Sequence, residues 1–418
     1  MNLRIWGTIL TLTMSIGLAP AEAASAAVYE NSSKTETICE DSTELEANYA
    51  KLVTVKYSEI ENMAGTAKDL VDSGTVLLIT NPEISAEAIS ELLSIPKSNT
   101  TSYQKEILMA YSICKVKDQY IFTNHYAVMA SETTTDLAAK NFLDIDTEEM
   151  DAPTDQPQTN FSNAILMAEP FSHKNSDMLA FNTTHMASAV LSCKADMEAF
   201  TSSVSETKNM DDSGILPYSC ELPGITATNT WNDILYVYGS DSDNYYGYLN
   251  CTVYAYEKGT GMVNDSLQNI YDVISVVKAY PQGHYRVKRY ETQIHCNISD
   301  FSCLQTTSLN SGINYSQGLS LTGSFKTDDI GGEVNYSTQW NYNPESQTIT
   351  ESSSYPRVVN WKAEPYNSKA GTAYDIAPGM RVAAPTQYMR GAFSKIYCDA
   401  MIWGITINAN EIQVGGWF

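Results

Sequence analysis

The sequence predicts a mainly β protein, a β-sandwich preceded by a small α/β unit, and three observations carry that expectation. From about residue 160 onward the chain reads as short Tyr- and Val-rich runs parted by Gly, Asn, Asp and Ser, the texture of strands joined by turns. Residues 30–140 instead mix strand-like and helix-like periods. Charge is unevenly divided too: residues 1–250 carry 13 Lys/Arg against 35 Asp/Glu, whereas 251–418 carry 12 against 14. A strongly acidic part and a near-neutral part imply different tasks.

The N-terminus reads as a secretory leader over 1–23. Arg4 opens it, residues 5–18 are apolar, and small residues follow around Ala21 and Ala23. That apolar stretch is shorter than the ~20 residues a spanning helix needs. Secretion makes the eight cysteines candidates for disulfides, and local closure suggests Cys39–Cys114, Cys193–Cys220 and Cys296–Cys303, with Cys251–Cys398 left over. No CxxC pair occurs, so no metal site is expected. The net charge of −24 excludes a general nucleic-acid binder, which needs clustered Lys and Arg against phosphate.

Within the α/β unit, taken as 24–150, residues 57–71 have a helical pattern and 76–79 form a short buried strand. Pro82 opens a helix over 83–93 that stops before Pro96; 113–114 and 120–122 add strands. Residues 144–155 (DIDTEEMDAPTD) hold six acids and a Pro. Such a run repels itself and reads as an exposed linker where an activating protease would cut. The sandwich domain follows over 160–418, with strands expected at 231–238, 245–256, 270–280 and 284–295.

The informative segment is 313–342, INYSQGLSLTGSFKTDDIGGEVNYSTQWNY. Ile313, Tyr315, Leu319, Leu321 and Phe325 fall on odd positions. After a turn containing Lys326, Asp328, Asp329, Ile330 and two glycines, Val334, Tyr336, Trp340 and Tyr342 fall on even ones. Ser, Thr, Asn and Gln alternate with them, so both arms are period-2 strands of a hairpin with one apolar and one polar face. No charge occurs over 301–325 or 334–344. Each arm is long enough to cross a bilayer when tilted, for which ~9 to 11 residues suffice. One hairpin cannot span alone, because its outer edges would leave backbone groups unpaired in hydrocarbon; several protomers would have to close a shared barrel.

On these residues the chain resembles the leukocidin/hemolysin β-pore-forming toxins. The stretch 312–361, with its hairpin, the SQTIT run at 346–350 and VNWKA at 359–363, looks like a pre-stem and following strand. Residues 405–414 (ITINANEIQV) are similar to the final hairpin of that family, and the N-terminal part resembles the pro-domain of a Vibrio-type cytolysin. The segment after Trp361 is shorter than the family's rim, and no lectin domain follows within the 418 residues. The resemblance implies a secreted precursor that binds target-cell membrane lipids or a glycan receptor, associates with copies of itself into a ring and inserts a β-barrel.

Trp361, Arg381, Tyr388 and Arg390 are the candidate membrane or receptor contacts, since guanidinium and aromatic groups suit phosphocholine. No catalytic constellation is expected: the five His show no HExxH, and no GxSxG elbow or phosphate-binding loop occurs. Asp241, Asp243 and Asn244 lack the Glu that would complete a calcium loop and read as a turn. No cofactor is expected. The rival reading is a non-inserting adhesin that contacts glycans through Trp231, Tyr245 and Tyr246.

Overall fold

A computed structural model of the chain describes residues 29–31, 34–37, 52–80, 85–96, 108–129, 131–133, 176–211, 218–223, 226–238, 245–296, 302–307, 317–326, 333–342, 347–351, 358–365, 368–385, 391–402, 405–408 and 412–417. The leader, Cys39, Pro82, the acidic run 144–155 and the 241–244 turn lie outside the described residues.

The N-terminal strands are β1 (Tyr29–Asn31), β2 (Lys34–Thr37), β3 (Leu52–Lys56), β4 (Val76–Thr80), β5 (Leu108–Val116) and β6 (Gln119–Met129). β4, Val-Leu-Leu-Ile-Thr, is buried along its whole length, as a two-sided apolar run must be. It pairs parallel with β3 and antiparallel with β5. The expected helix over 57–71 is two pieces, a 3-10 turn Tyr57–Met63 and α1 (Ala67–Asp72), parted around Gly65, the poorest helix former short of Pro. Ile60, Ala67 and Val71 still face the core. α2 (Ala86–Leu92) begins at Ser85, whose hydroxyl accepts the Ala88 N–H and so satisfies a donor left open at the helix start.

After β7 (Ser131–Thr133) comes α3 (Ser176–Ser203), a 28-residue helix in a stretch expected to be all β. Met186, Val190, Cys193, Met197 and Thr201 are buried at spacings of three and four, a helical stripe that its many Ser and Thr neighbours disguise. Then follow β8 (Ser205–Asp211), β9 (Tyr218–Pro223), β10 (Asn229–Tyr238), β11 (Tyr245–Val263), β12 (Ser266–Pro281), β13 (Arg286–Cys296), β14 (Ser302–Thr306), β15 (Gln317–Lys326), β16 (Glu333–Tyr342), β17 (Gln347–Glu351), β18 (Val358–Pro365), β19 (Tyr374–Ile376), β20 (Gly379–Pro385), β21 (Gly391–Ile402), β22 (Ile405–Asn408) and β23 (Ile412–Trp417). The four strands expected over 231–295 are present, and β11 and β12 extend to a turn at Asn264 and Asp265. Both turn residues have positive φ (51° and 59°), the primed geometry that matches strand twist.

Two sheets form a sandwich. The larger runs β1-β2-β3-β4-β5-β6-β10-β11-β15-β16-β8-β9, with β12 beside β11 and carrying β19 and β20. The smaller runs β17-β18-β13-β21-β22-β7, with β23 on β21. Between them lies a core that holds Tyr271, Val273 and Val277 of the first sheet together with Tyr290, Trp361 and Val414 of the second. Three hydroxyls, Ser275, Thr292 and Ser394, satisfy one another across it at 2.6 to 3.0 Å.

β6 joins β10 in parallel from Thr123↔Asn232 to Met129↔Tyr238, so the α/β unit and the sandwich share one continuous sheet. The disulfide expectations need correction. Cys114, Cys193, Cys251 and Cys303 are buried and in no disulfide, and each of the four suggested pairs needs one of them. They sit on β5, α3, β11 and β14, inside packed layers. Burial pushes the Cys114 thiol up to about 12, which removes the thiolate that exchange chemistry requires.

Candidate functional site

The hairpin expected over 313–342 forms as β15 and β16, ten residues each. Their register pairs Leu319 with Trp340, Leu321 with Thr338, Gly323 with Tyr336 and Phe325 with Val334. The alternation read from sequence therefore places these residues on a common face. Ser320↔Gln339, Thr322↔Ser337 and Ser324↔Asn335 occupy the other. Leu319, Leu321, Thr338 and Trp340 are buried, Ser337 is half-buried and Gln339 is exposed: the apolar face lies inward and the polar face outward. Ile313, Tyr315 and Ile330 lie outside the described residues. Phe325, Val334, Tyr336 and Tyr342 are placed on their strands by register.

The inward face packs on β20 and the turn before it. Trp340 donates its indole N–H to the Ala377 carbonyl at 3.1 Å, and its ring fills the space over Gly379. A Cβ on Gly379 would lie 2.7 Å from Trp340 Cη2 and 3.3 Å from Leu321 Cδ1, so glycine is required there for close approach.

Beside Trp340 sits a buried cluster of four charges. Arg381 of β20 donates from Nε to Asp272 Oδ1 at 2.6 Å and from Nη2 to Asp272 Oδ2 at 2.8 Å. Lys258 of β11 donates to Glu206 of β8 at 2.6 Å and lies 3.8 Å from Asp272 Oδ2. Asp272, Arg381 and Lys258 have almost no exposure, and Glu206 little. Two cations face two anions, as burial demands. Among the described contacts, the hairpin closes this cluster with neutral groups. The Thr338 hydroxyl donates to Asp272 Oδ2 at 2.5 Å, and the Leu321 carbonyl accepts from Arg381 Nη2 at 3.1 Å. Glu206, Thr338 and Leu321 stand in line across β8, β16 and β15. Thr338 is the polar interruption in an otherwise apolar stripe, and Asp272 is the reason for it.

The hairpin's backbone attachments are unequal. β15 meets β11 only at Met262↔Lys326, whereas β16 pairs with β8 from Glu333↔Asp211 to Gln339↔Ser205. It therefore lies within the sheet path, not at an open edge.

Two expectations about contacts are corrected. Trp361 and Arg381, expected to face a membrane or receptor, are 0% and 1% exposed. Trp361 is central to the inter-sheet core and Arg381 is spent on Asp272, so neither can reach a headgroup in this conformation. Tyr388 and Arg390 lie outside the described residues. The rival glycan residues Trp231, Tyr245 and Tyr246 are also buried, because alternate positions of β10 and β11 face inward on both sides of the sheet. Sequence reasoning did not find Asp272, Lys258 or Glu206; the absence of charge over 301–325 and 334–344 pointed to the hairpin but not to what it rests on.

Among the described residues no cluster of His, Cys, Asp and Glu could hold a metal ion, and no helix is long and apolar enough to cross a membrane. No family model and no curated protein matches the chain. Similar solved structures include the delta-toxin of Clostridium perfringens, 11% identical with a TM-score of 0.27, over 49% of this chain and 94% of that one. Another is the Clostridium perfringens NetB toxin in its membrane-inserted form, 6% identical with a TM-score of 0.20, over 45% and 93%. A third, described as a pore-forming protein, is 7% identical with a TM-score of 0.20, over 40% and 88%. Likenesses of this size carry no argument, and the functional reading rests on the hairpin and its cluster.

Proposed function

We propose that the chain is a secreted β-pore-forming protein in which β15 and β16 leave the sandwich and enter a target membrane. One observation carries this reading: the inward face of the hairpin is apolar, its described hydrogen bonds to the charge cluster come from neutral groups, and the charges of the cluster remain behind when it parts from β11, β20 and the β8 ladder. Release therefore leaves the Arg381–Asp272 pair intact and takes no charge from the cluster into hydrocarbon, where a charge costs several kcal/mol. Leu319, Leu321, Trp340 and the apolar residues in phase with them then face lipid. The intervening Ser, Thr, Asn and Gln face a watery lumen. Self-association into a ring follows from backbone chemistry, because only closure pairs the outer edges of each hairpin. Binding to lipid or a glycan receptor precedes insertion, and a protease that cuts within 144–155 activates the precursor.

The register supplies a test. Met262 and Lys326 are directly opposed on β11 and β15, so M262C/K326C places two cysteines across an antiparallel pair, within disulfide reach. The oxidised variant should bind liposomes and release no dye, and a mild reductant should restore release at least tenfold. Equal release from oxidised and reduced protein overturns the assignment of this hairpin as the inserting element.

A further inference from the structure

We infer that the N-terminal unit, residues 52–129, is a built-in binding partner of the sandwich that stays seated after the connecting chain is cut, so that cleavage yields a stable two-piece protein. This holds whether or not the hairpin inserts. The unit is stitched into both sheets. β6 supplies a parallel neighbour for β10 in the larger sheet, and two residues after its end β7 pairs with β22 in the smaller one, from Thr133↔Thr406 to Ser131↔Asn408. An appended domain would touch one face; this segment grips two.

The seam is chemically specific. Thr123 donates to Asn232 at 2.8 Å, Asn124 to Asp233 at 2.6 Å, and His125 bridges Ser112 and Tyr236 at 2.9 Å on each ring nitrogen. The side-chain amide of Gln119 reaches the Ala227 and Thr228 carbonyls, while its oxygen accepts from Thr230. All but Gln119, Thr228 and Thr230 are buried. Polar groups matched residue by residue select one register and one partner, since any other pairing strands them without hydrogen bonds.

Apolar burial supplies the affinity. One core cluster is shared among Leu78 and Ile121 of the unit, Met186 and Val190 of α3, and Ile234 and Tyr236 of β10. The unit's departure would expose the apolar stripe of α3 and strip β10 of a ladder neighbour at once, leaving a hydrophobic patch beside a raw strand edge. Peptide cleavage in the connection between 134 and 175 removes none of these contacts.

The test uses the full chain with a specific protease site inserted at residue 150, cut to completion as judged on a denaturing gel. Both fragments should co-elute at the mass of the uncut chain down to nanomolar concentration and part only in denaturant. Amides of 123–129 should exchange as slowly in the cut protein as in the uncut one, within about threefold. Separation at micromolar concentration in native buffer overturns the inference. So does co-elution with exchange across 123–129 raised a hundredfold, because the seam would then be open. Precipitation of the cut protein while uncut protein stays in solution counts the same way, since it reports the exposed patch.

Discussion

The N-terminal unit and the β15–β16 hairpin both join the larger sheet, but β6 meets β10 from Thr123↔Asn232 to Met129↔Tyr238, whereas β15 meets β11 at a single pair. The first junction is a strand ladder reinforced by buried side-chain hydrogen bonds. The second is side-chain packing toward β11 and β20, Trp340 and Leu321 over Gly379, closed by Thr338 and the Leu321 carbonyl on the charge cluster, with a strand ladder only from β16 to β8. A ladder with matched polar groups opens only when many bonds break together. A packed face joined to the cluster through neutral groups can separate from β11 and β20 without carrying the cluster's charges away, while β16 also parts from its ladder with β8; the loss in water is offset if the apolar face finds lipid, at roughly 25 cal/mol per Å². On the proposed function and the inferred two-piece protein, one sandwich holds a permanent neighbour and a removable one, and the kind of contact distinguishes them.

The largest effect expected at the removable junction comes from Asp272→Ala. The described cluster would be left with two buried cations, Arg381 and Lys258, and one anion, Glu206, and uncompensated burial of this kind costs about 3–5 kcal/mol. Urea denaturation should report that loss, and the double variant D272A/R381M should recover much of it. If the double variant is as unstable as the single one, charge compensation is not what Asp272 provides.

At the permanent junction the corresponding probe is pH. Burial lowers the His125 pKa to about 3. A base with a depressed folded-state value contributes stability that is present above its unfolded value near 6.5 and is lost as pH falls toward 3. That loss amounts to about 3 kcal/mol by pH 4. Asp233, raised by burial, acts in the opposite sense: its contribution is present in acid and fades as pH rises through its folded value. His125→Gln should therefore remove about one proton from the slope of stability against pH between 6.5 and 4. An unchanged slope would mean that His125 already exchanges with water and that the seam is looser than its geometry.

A smaller and more local effect should follow from Gly379→Ala. The added methyl meets Trp340 at 2.7 Å, and overpacking of this kind costs about 1–3 kcal/mol. Amide exchange should quicken in β15 and β16 while β6 and β10 stay as they are. Faster exchange at both junctions would erase the proposed difference between them.

The hairpin was legible in sequence because strand alternation is local: the parity of Leu319, Leu321, Val334, Tyr336 and Trp340 is a property of consecutive residues. β4 and α2 were legible for the same reason, to within a few residues at their ends. The helix α3 was not, since its apolar stripe is diluted by Ser and Thr that read as turn chemistry. Thr338 broke the alternation visibly, but nothing near it in sequence said why.

The chain's own order of residues determined a mainly β protein, a helical episode near the N-terminus and a two-faced hairpin free of charge along its arms. Tertiary structure alone decided that Arg381 turns inward to Asp272, 109 positions away, and that Thr338 finds the same carboxylate from 66 positions away. It also decided that β6 pairs with β10 across the whole intervening segment, and that four cysteines stay apart as buried thiols. Local periods depend on backbone geometry and are written in neighbouring residues. The burial and partner of a charge depend on which strands close around it, and that is set by pairings between distant segments.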